Sequence, residues 1–514
     1  MTWLVPLPVV LPLTGAGLAL AMSRHPRFQR IVSVVVLSLV LIVAVSLLLR
    51  ADQGPLVVNV GGWAAPVGIA LVADRLSSLM LSISAAVTLC VLIYSLAQGL
   101  ADGDEAAPVA IYHPTYLVLT AGVANAFLAG DLFNLYVGFE ILLFASYVLL
   151  TIGGTGPRIR AGTIYVVVAL LSSVIFLLGI ALTYSATGTV NMAQLAERLP
   201  EIDRGVGLVL QLLLLIAFAI KAALFPLSAW LPDSYPIAPA PVTAVFAGLL
   251  TKVGIYAMIR TQTLLFADGR IDQLLMWTAL ATMLVGILGA VAQSDIKRLL
   301  SFTLISHIGY MVFGVALSSR AGLTAAIFYV AHHITVQTAL FLVVGLIERK
   351  GGTTSLNRLG GLAKVAPVLA VLFFIPAMSL SGIPPLSGFL GKVGLLQAGV
   401  AAATPLAYAL VVGGVITSLL TLYVIAKAWN KAFWQSPSEN LPDVRIPRGM
   451  VGPTAALVSL GLTLTLLAGP LYGYTQRAAT DLRSQSTYIR AVFPTGERGE
   501  GPSPEAAMEV EPSP

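Results

Sequence analysis

The chain has 514 residues, 57% of them apolar and only 10% charged, where an ordinary soluble domain carries about 25% charged residues. That balance excludes a soluble globular protein. The formal net charge of +6 does not indicate a nucleic-acid partner, because the basic residues sit mostly between apolar blocks, where topology signals lie.

The apolar blocks are long enough, as helices, to cross a hydrocarbon core of about 30 Å. They predict an all-α polytopic membrane protein with about fourteen transmembrane helices. These fall roughly at 3–22, 31–50, 76–99, 112–130, 131–152, 161–186, 206–231, 241–260, 272–293, 298–318, 321–347, 365–400, 405–430 and 449–472. The first stretch, "MTWLVPLPVVLPLTGAGLALAM", carries its charges after the apolar block and reads as a span rather than a cleaved signal. With the N-terminus outside, the inside loops include "SRHPRFQR", "GPRIR", "DIKR", "ERKGGTTSLNRLGGLAK" and "KAWNKAFWQSPSENLPDVRIPR", which hold most of the loop Lys and Arg. The acidic loop "ADGDEAA" would also lie inside, but acidic residues count little in this rule. Beyond Tyr472 the chain turns polar, and the segment "GERGEGPSPEAAMEVEPSP" has a disordered composition.

Glu140 stands in the fifth span, within "LYVGFEILLFASYVLL". An ionisable group at mid-membrane costs at least about 2.5–3.5 kcal/mol, so each needs a reason. Glu140 reads either as a proton carrier or as a carboxyl that serves helix packing. The seventh span runs into "IKAALFPLSAWLPDSYPIAPAPV", which opens with Lys221 and carries Pro226 and Pro232 among five prolines. Unwound backbone at membrane depth is tolerated only inside protein or around water. The stretch therefore predicts a broken helix with a hydrated pocket beside Lys221, the natural partner of Glu140. A carboxyl pulled one way by burial and the other by an ammonium can switch when its partner moves.

Lys252, in "FAGLLTKVGIYAMIR", follows on the next span and is placed to accept a proton from Lys221 through water; the alternative is a snorkelling lysine. His307 in "LISHIGYMV" and the pair His332–His333 in "FYVAHHITVQTAL" continue the polar line, with a side chain type suited to a relay. Adjacent helical residues point about 100° apart, so one of the pair is expected to face the route. A second interrupted span, 365–400, holds "LSGIPPLSGFLGK" with Pro384, Pro385 and then Lys392. "PLSAWL" at Pro226–Leu231 echoes "PLSGFL" at Pro385–Leu390. Paired interrupted spans of this kind point to an inverted-repeat transporter and its ion site. Arg50, Asp74, Asp131, Arg260 and Asp295 lie near span ends, where snorkelling accounts for them. The spacing shows no metal cluster, nucleophile–base pair, phosphate loop or haem ligand set. The expectation is a transporter component, not an enzyme, with no catalytic residue, no cofactor and no metal.

"GFEILLFASYVLL", "KAALFPLSAWLPDSYPIAPAPVTAVFAGLLTKVGIYAMIR", "DIKRLLSFTLISHIGYMVFG" and "SGIPPLSGFLGKVGLL" resemble the antiporter-like subunits shared by respiratory complex I and the multisubunit Mrp-type sodium/proton antiporters. "GGWAAPVGIALVADRLSSLM" at Gly61–Met80 is similar to the D-type subunits on the Mrp side, and Lys392 fits that side, because the M-type subunit of complex I has glutamate there. The resemblance implies two inverted five-helix repeats and two broken helices. The chain then divides into N-terminal helices at 1–111, repeats at 112–260 and 272–430, a last helix at 449–472 and a polar tail at 473–514. It assigns the family's proton-translocating positions to Glu140, Lys221, Lys252, His307, His332 or His333, and Lys392. It also implies a bacterial plasma-membrane complex with a large A-type subunit and several small membrane subunits, exchanging Na+ and H+. Sodium prefers several hard oxygen ligands, and a set of three lysines and one carboxylate suits protons better. The alternative is the homologous proton-pumping subunit of complex I or of a membrane-bound hydrogenase.

Overall fold

Short polar side chains decide where the apolar helices begin. Asp74, Asp131, Asn191, Asp203, Asp295, Ser319 and Thr404 each accept a backbone N–H from the first turn of the helix that follows. Such caps are worth about 0.5–2 kcal/mol each.

The computed structural model describes residues 2–99, 109–436 and 444–494; the acidic loop, residues 437–443 and the tail from 495 on lie outside the described residues. The chain forms α1 (Leu7–Ala21), α2 (Pro26–Ala51), a two-stranded antiparallel hairpin of β1 (Leu56–Asn59) and β2 (Ala70–Ala73), α3 (Arg75–Gln98) and α4 (Val109–Leu128). Then come α5 (Leu132–Thr151), α6 (Gly156–Thr187), the short α7 (Met192–Arg198), α8 (Arg204–Ala222), α9 (Trp230–Ser234), α10 (Ala240–Val245) and α11 (Thr251–Arg260). The second half holds α12 (Asp272–Val291), α13 (Ile296–Ala316), α14 (Arg320–Gly351), α15 (Leu362–Val365), α16 (Pro367–Ser381), α17 (Ser387–Ala402), α18 (Pro405–Trp429), α19 (Arg448–Leu466), α20 (Ala468–Arg483) and α21 (Gln485–Val492). Among the described residues, 11 helices are long and apolar enough to cross a membrane, and Leu7–Ala21 and Pro367–Ser381 are shorter apolar helices. Apart from the hairpin, the architecture is that of a helical polytopic membrane protein. The hairpin was not anticipated.

Two interruptions occur where the sequence places them. The break after α8 contains Pro226, whereas Pro232 lies inside α9; the break after α16 contains Pro384 and Pro385. The α10–α11 span is itself irregular, with π turns at Phe246–Leu250 and Thr261–Leu265.

One local construction appears twice. Asp131 caps α5 and pairs with Asn191 beyond α6; Asp295 caps α13 and pairs with Ser355 beyond α14, both 164 residues further on. α6 and α14 each have 32 residues and end on a left-handed glycine, Gly188 and Gly352. The first pairing lies on the membrane side that carries the β-hairpin, since Leu71 of β2 bridges to Ala129. The second lies on the opposite, basic side, where Lys350 donates to Val444 and Lys431 to Asn357.

α14 runs through the interior, and the most apolar windows of α14 and of the α10–α11 span are 100% buried. The helices that carry Lys252 and the histidines are therefore the innermost, and α2, α6 and α19 turn most of their surface outward.

The polar end of the chain is helical as far as Val492. Residues Ala468–Arg483 and Gln485–Val492 are helices packed across the hairpin side. Arg477 and Arg75 both bond Asp52, and Arg75 also pairs with Asp481. The bonds from Arg477 and Arg75 hold the Asp52 carboxyl below its usual range.

α12 and α13 cross with their backbones nearly touching: a Cβ on Gly286 would stand 2.4 Å from the Ser306 nitrogen and 2.7 Å from its Cα. Small residues permit such approaches in membranes. Overpacking costs about 1–3 kcal/mol, so Gly286→Val should lower the melting temperature of the purified protein. An unchanged transition would show that the crossing can relax.

Candidate functional site

α8 ends one residue past Lys221, and the next residue, Ala223, takes a left-handed conformation (φ 60) with its N–H turned back to Ile220 O. Side chains bond one carbonyl and one N–H of the backbone at the break. Trp230 Nε1 donates to Ile220 O at 3.2 Å, and the Phe225 N–H donates to Thr282 of α12 at 3.1 Å. A cavity of about 20 Å³ lies beside Lys221, lined by Tyr165, Trp230, Tyr235 and apolar residues. About 10–15 Å³ of such volume holds one water, so the pocket expected beside the lysine is present at one-water size.

Glu140 and Lys221 meet through a third residue. Ser173 of α6 donates its hydroxyl to Glu140 Oε1, and Lys221 Nζ donates to Ser173 Oγ at 3.1 Å. Lys221 Nζ also lies 3.5 Å from Ala169 O and 5.5 Å from the centre of the Phe139 ring, a favourable cation–π distance. The direct pairing expected from the sequence is thus a bridged one. Ser173 was not anticipated; the only signal was a Ser172–Ser173 doublet in an otherwise apolar span, which reads as packing.

Lys252 is fully buried and does not snorkel. It donates to Ala247 O on its own span, inside the π turn.

Around α13 and α14 the structure assembles the remaining residues. His307 Nδ1 bonds Tyr329 OH at 2.8 Å, its Nε2 lies 3.4 Å from Thr421 Oγ1, and its ring centre lies 5.3 Å from that of His333. His332 turns away and bonds Ser387 Oγ at 2.9 Å through Nδ1. Neither ring nitrogen of His333 has a hydrogen-bond partner. Of the adjacent pair, His333 therefore faces His307, and His332 faces the second break.

Lys392 reaches that break from beyond it. Its Nζ donates at 3.0 Å to Leu380 O, Ser381 O and Ser418 Oγ, and lies 5.1 Å over the Tyr310 ring. A cation at the C-terminal end of a half-helix meets both its free carbonyls and its negative dipole end. Lys221 and Lys392 thus stand at corresponding breaks but on opposite sides of them in sequence.

Arg260 and Asp74, which their sequence positions near span ends suggest are snorkelling, behave otherwise. Arg260 is 2% exposed and Asp74 7%, and Arg260 Nη2 lies 2.6 Å from Asp74 Oδ2. The end of α11 is covered by the C-terminal helices, so proximity to a span end in sequence does not mean proximity to water.

The family described as NADH:quinone oxidoreductase/Mrp antiporter, transmembrane, matches residues 129–421. The chain belongs to this family. It is 40% identical over 499 residues to the D-type subunit of the Na(+)/H(+) antiporter of Alkalihalophilus pseudofirmus, covering 96% of this chain and 100% of that one. The structure of the Mrp complex from Dietzia sp. DQ12-45-1b contains a chain with a TM-score of 0.88 and 36% identity, covering 96% of this chain and 100% of that one. Respiratory complex I from Thermus thermophilus contains one with a TM-score of 0.78 and 26% identity, covering 93% and 99%. The higher identities lie on the antiporter side, as Gly61–Met80 and Lys392 suggest.

A hydrogen bond to a charged group contributes about 1.5–3 kcal/mol. Ser173→Ala, which removes the bridge and leaves both charges, should slow cation-driven proton transport by about tenfold or more. Full transport in that variant, measured as pH change in membrane vesicles, would rule out a working bridge.

Proposed function

We propose that this chain is the proton-translocating subunit of a monovalent cation (Na+)/proton antiporter complex in a bacterial plasma membrane. The observation that carries the reading is the Glu140–Ser173–Lys221 bridge at the end of an interrupted helix. It is supported by the Lys252 and histidine groups that lead from there to Lys392 at the second break. The N-terminus lies outside, in keeping with the basic loops, and residues 112–260 and 272–430 act as two inverted units. The partners are a large A-type subunit and several small membrane subunits, to which the named relatives also point.

The mechanism is a switch. In one state Ser173 couples the Glu140 carboxylate to a charged Lys221. When the bridge opens, Lys221 passes its proton toward Lys252, then His333 and His307, with Lys392 controlling exchange beyond them. The cavity beside Lys221 admits the water that such a transfer uses. Sodium, which requires several hard oxygen ligands, crosses elsewhere in the complex.

The second reading is a redox-driven pump subunit, favoured by the likeness to complex I. What co-purifies with the chain separates the two: small antiporter subunits or a quinone oxidoreductase assembly.

In the assembled complex, Glu140→Ala and Lys221→Ala should each abolish sodium-driven proton flux in vesicles. Lys221→Arg should also be poor, because arginine does not release its proton at working pH. Intact flux in both alanine variants would leave only a structural role for the chain, and normal flux in Lys221→Arg would remove Lys221 as a carrier.

A further inference from the structure

The relay above uses neither Arg260 nor Asp74, although both are buried and charged. Arg260 sits two turns beyond Lys252 on α11, with Tyr256 halfway, so the three share one helix face. All three are buried. The ladder runs from mid-membrane toward the hairpin side.

Its end is closed by four elements. Asp74, the cap of α3, takes Arg260 Nη2 at 2.6 Å on Oδ2 and the Ser77 N–H at 2.8 Å on Oδ1. Tyr256 OH donates to Phe127 O of α4 at 2.6 Å and accepts from Arg260 at 3.2 Å. The Arg260 guanidinium lies between two rings, 5.5 Å from Tyr256 and 5.1 Å from Tyr488 of α21. α21 is held in place by Gln485, whose Nε2 donates to Leu264 O at 2.8 Å.

The cluster is incompletely satisfied. Arg260 Nε and Tyr488 OH are buried with no hydrogen-bond partner. Orphaned buried polar atoms are rare and call for an explanation. A plain structural clamp would be expected to satisfy them; a group that exchanges partners when it opens leaves some free.

We propose that the Asp74–Arg260 pair, roofed by Tyr488, is the gate that closes the proton path on the hairpin side, and that its opening connects Lys252 to water there. Arginine does not release its proton, so Arg260 acts as the gate's fixed charge and Lys252 as the last carrier behind it. The gate rests on the relay reading given above.

The test uses the whole antiporter complex in sealed vesicles and reads the decay of an imposed pH difference without sodium. Asp74→Asn should speed that decay by roughly tenfold, the factor that about 1.4 kcal/mol of lost closed-state stability produces. Tyr488→Ala, which leaves the ion pair intact, should raise the leak in the same direction, and it decides the matter if Asp74→Asn fails to assemble. Adding Lys252→Met to either variant should return the leak to its unaltered value, an outcome that a general loosening of the fold would not produce. Assembled variants with an ordinary leak, or a leak that survives Lys252→Met, would overturn the gate. Failure of the relay itself shows separately, as intact sodium-driven flux in Lys252→Met alone.

Discussion

A cation inside a membrane must be given oxygen atoms, and a regular helix has already committed its carbonyls to itself. Two of the three mid-membrane lysines are placed where a helix releases some. Lys392 takes the last carbonyls of α16 at the second break. Lys252 takes one from a π turn. Lys221 sits at the end of α8 and leans on Ala169 O and Ser173 of the neighbouring helix. The breaks and π turns are thus conditions for keeping ammonium groups at this depth. The fold is arranged around them, with the helices that carry Lys252 and the histidines innermost.

Neutral oxygen holds a lysine without fixing its charge. A direct carboxylate contact would favour one protonation state strongly, whereas carbonyls and hydroxyls hold the group loosely enough to change. Glu140 reaches Lys221 through a serine hydroxyl, which can rotate. A rotation of one side chain therefore uncouples the charges without moving a helix.

Much of this was legible in the sequence because hydropathy and charge are local signals. The spans, both breaks and the seven titratable positions follow from apolar length, proline placement and the cost of intramembrane charge. Ser173, Tyr329, Ser387 and Ser418 were not legible, because a hydroxyl in an apolar span reads the same whether it bonds its own helix or a relay group. Arg260 and Asp74 were misread for a different reason: depth near a span end depends on what covers it. Here the cover is α20 and α21, drawn from a stretch whose polarity reads as a loose tail. Its apolar residues include Leu482, Tyr488 and Val492, and only the packed structure shows them buried.

The repeated construction also shows where the halves differ. Moving 164 residues along, the distance between the paired caps Asp131 and Asp295, the position of Glu140 becomes Leu304 and that of Ser173 becomes Gln337. Gln337 donates to Leu300 O and bridges no charges. The second half therefore has a lysine at its break but no carboxylate to answer it. Its groups are joined instead by uncharged contacts through Tyr329, Tyr310, Ser418 and Thr421. In the proposed relay, the half with a bridged carboxylate and lysine would store a state, while the half built from hydroxyls and imidazoles would transmit one, since each bond in such a chain polarises the next. His333 lies 5.3 Å from His307, ring centre to ring centre, and neither of its ring nitrogens has a hydrogen-bond partner. In the proposed relay, a ring with no bond to break is suited to accept a proton from either side, so His333 is where control would pass from one half to the other.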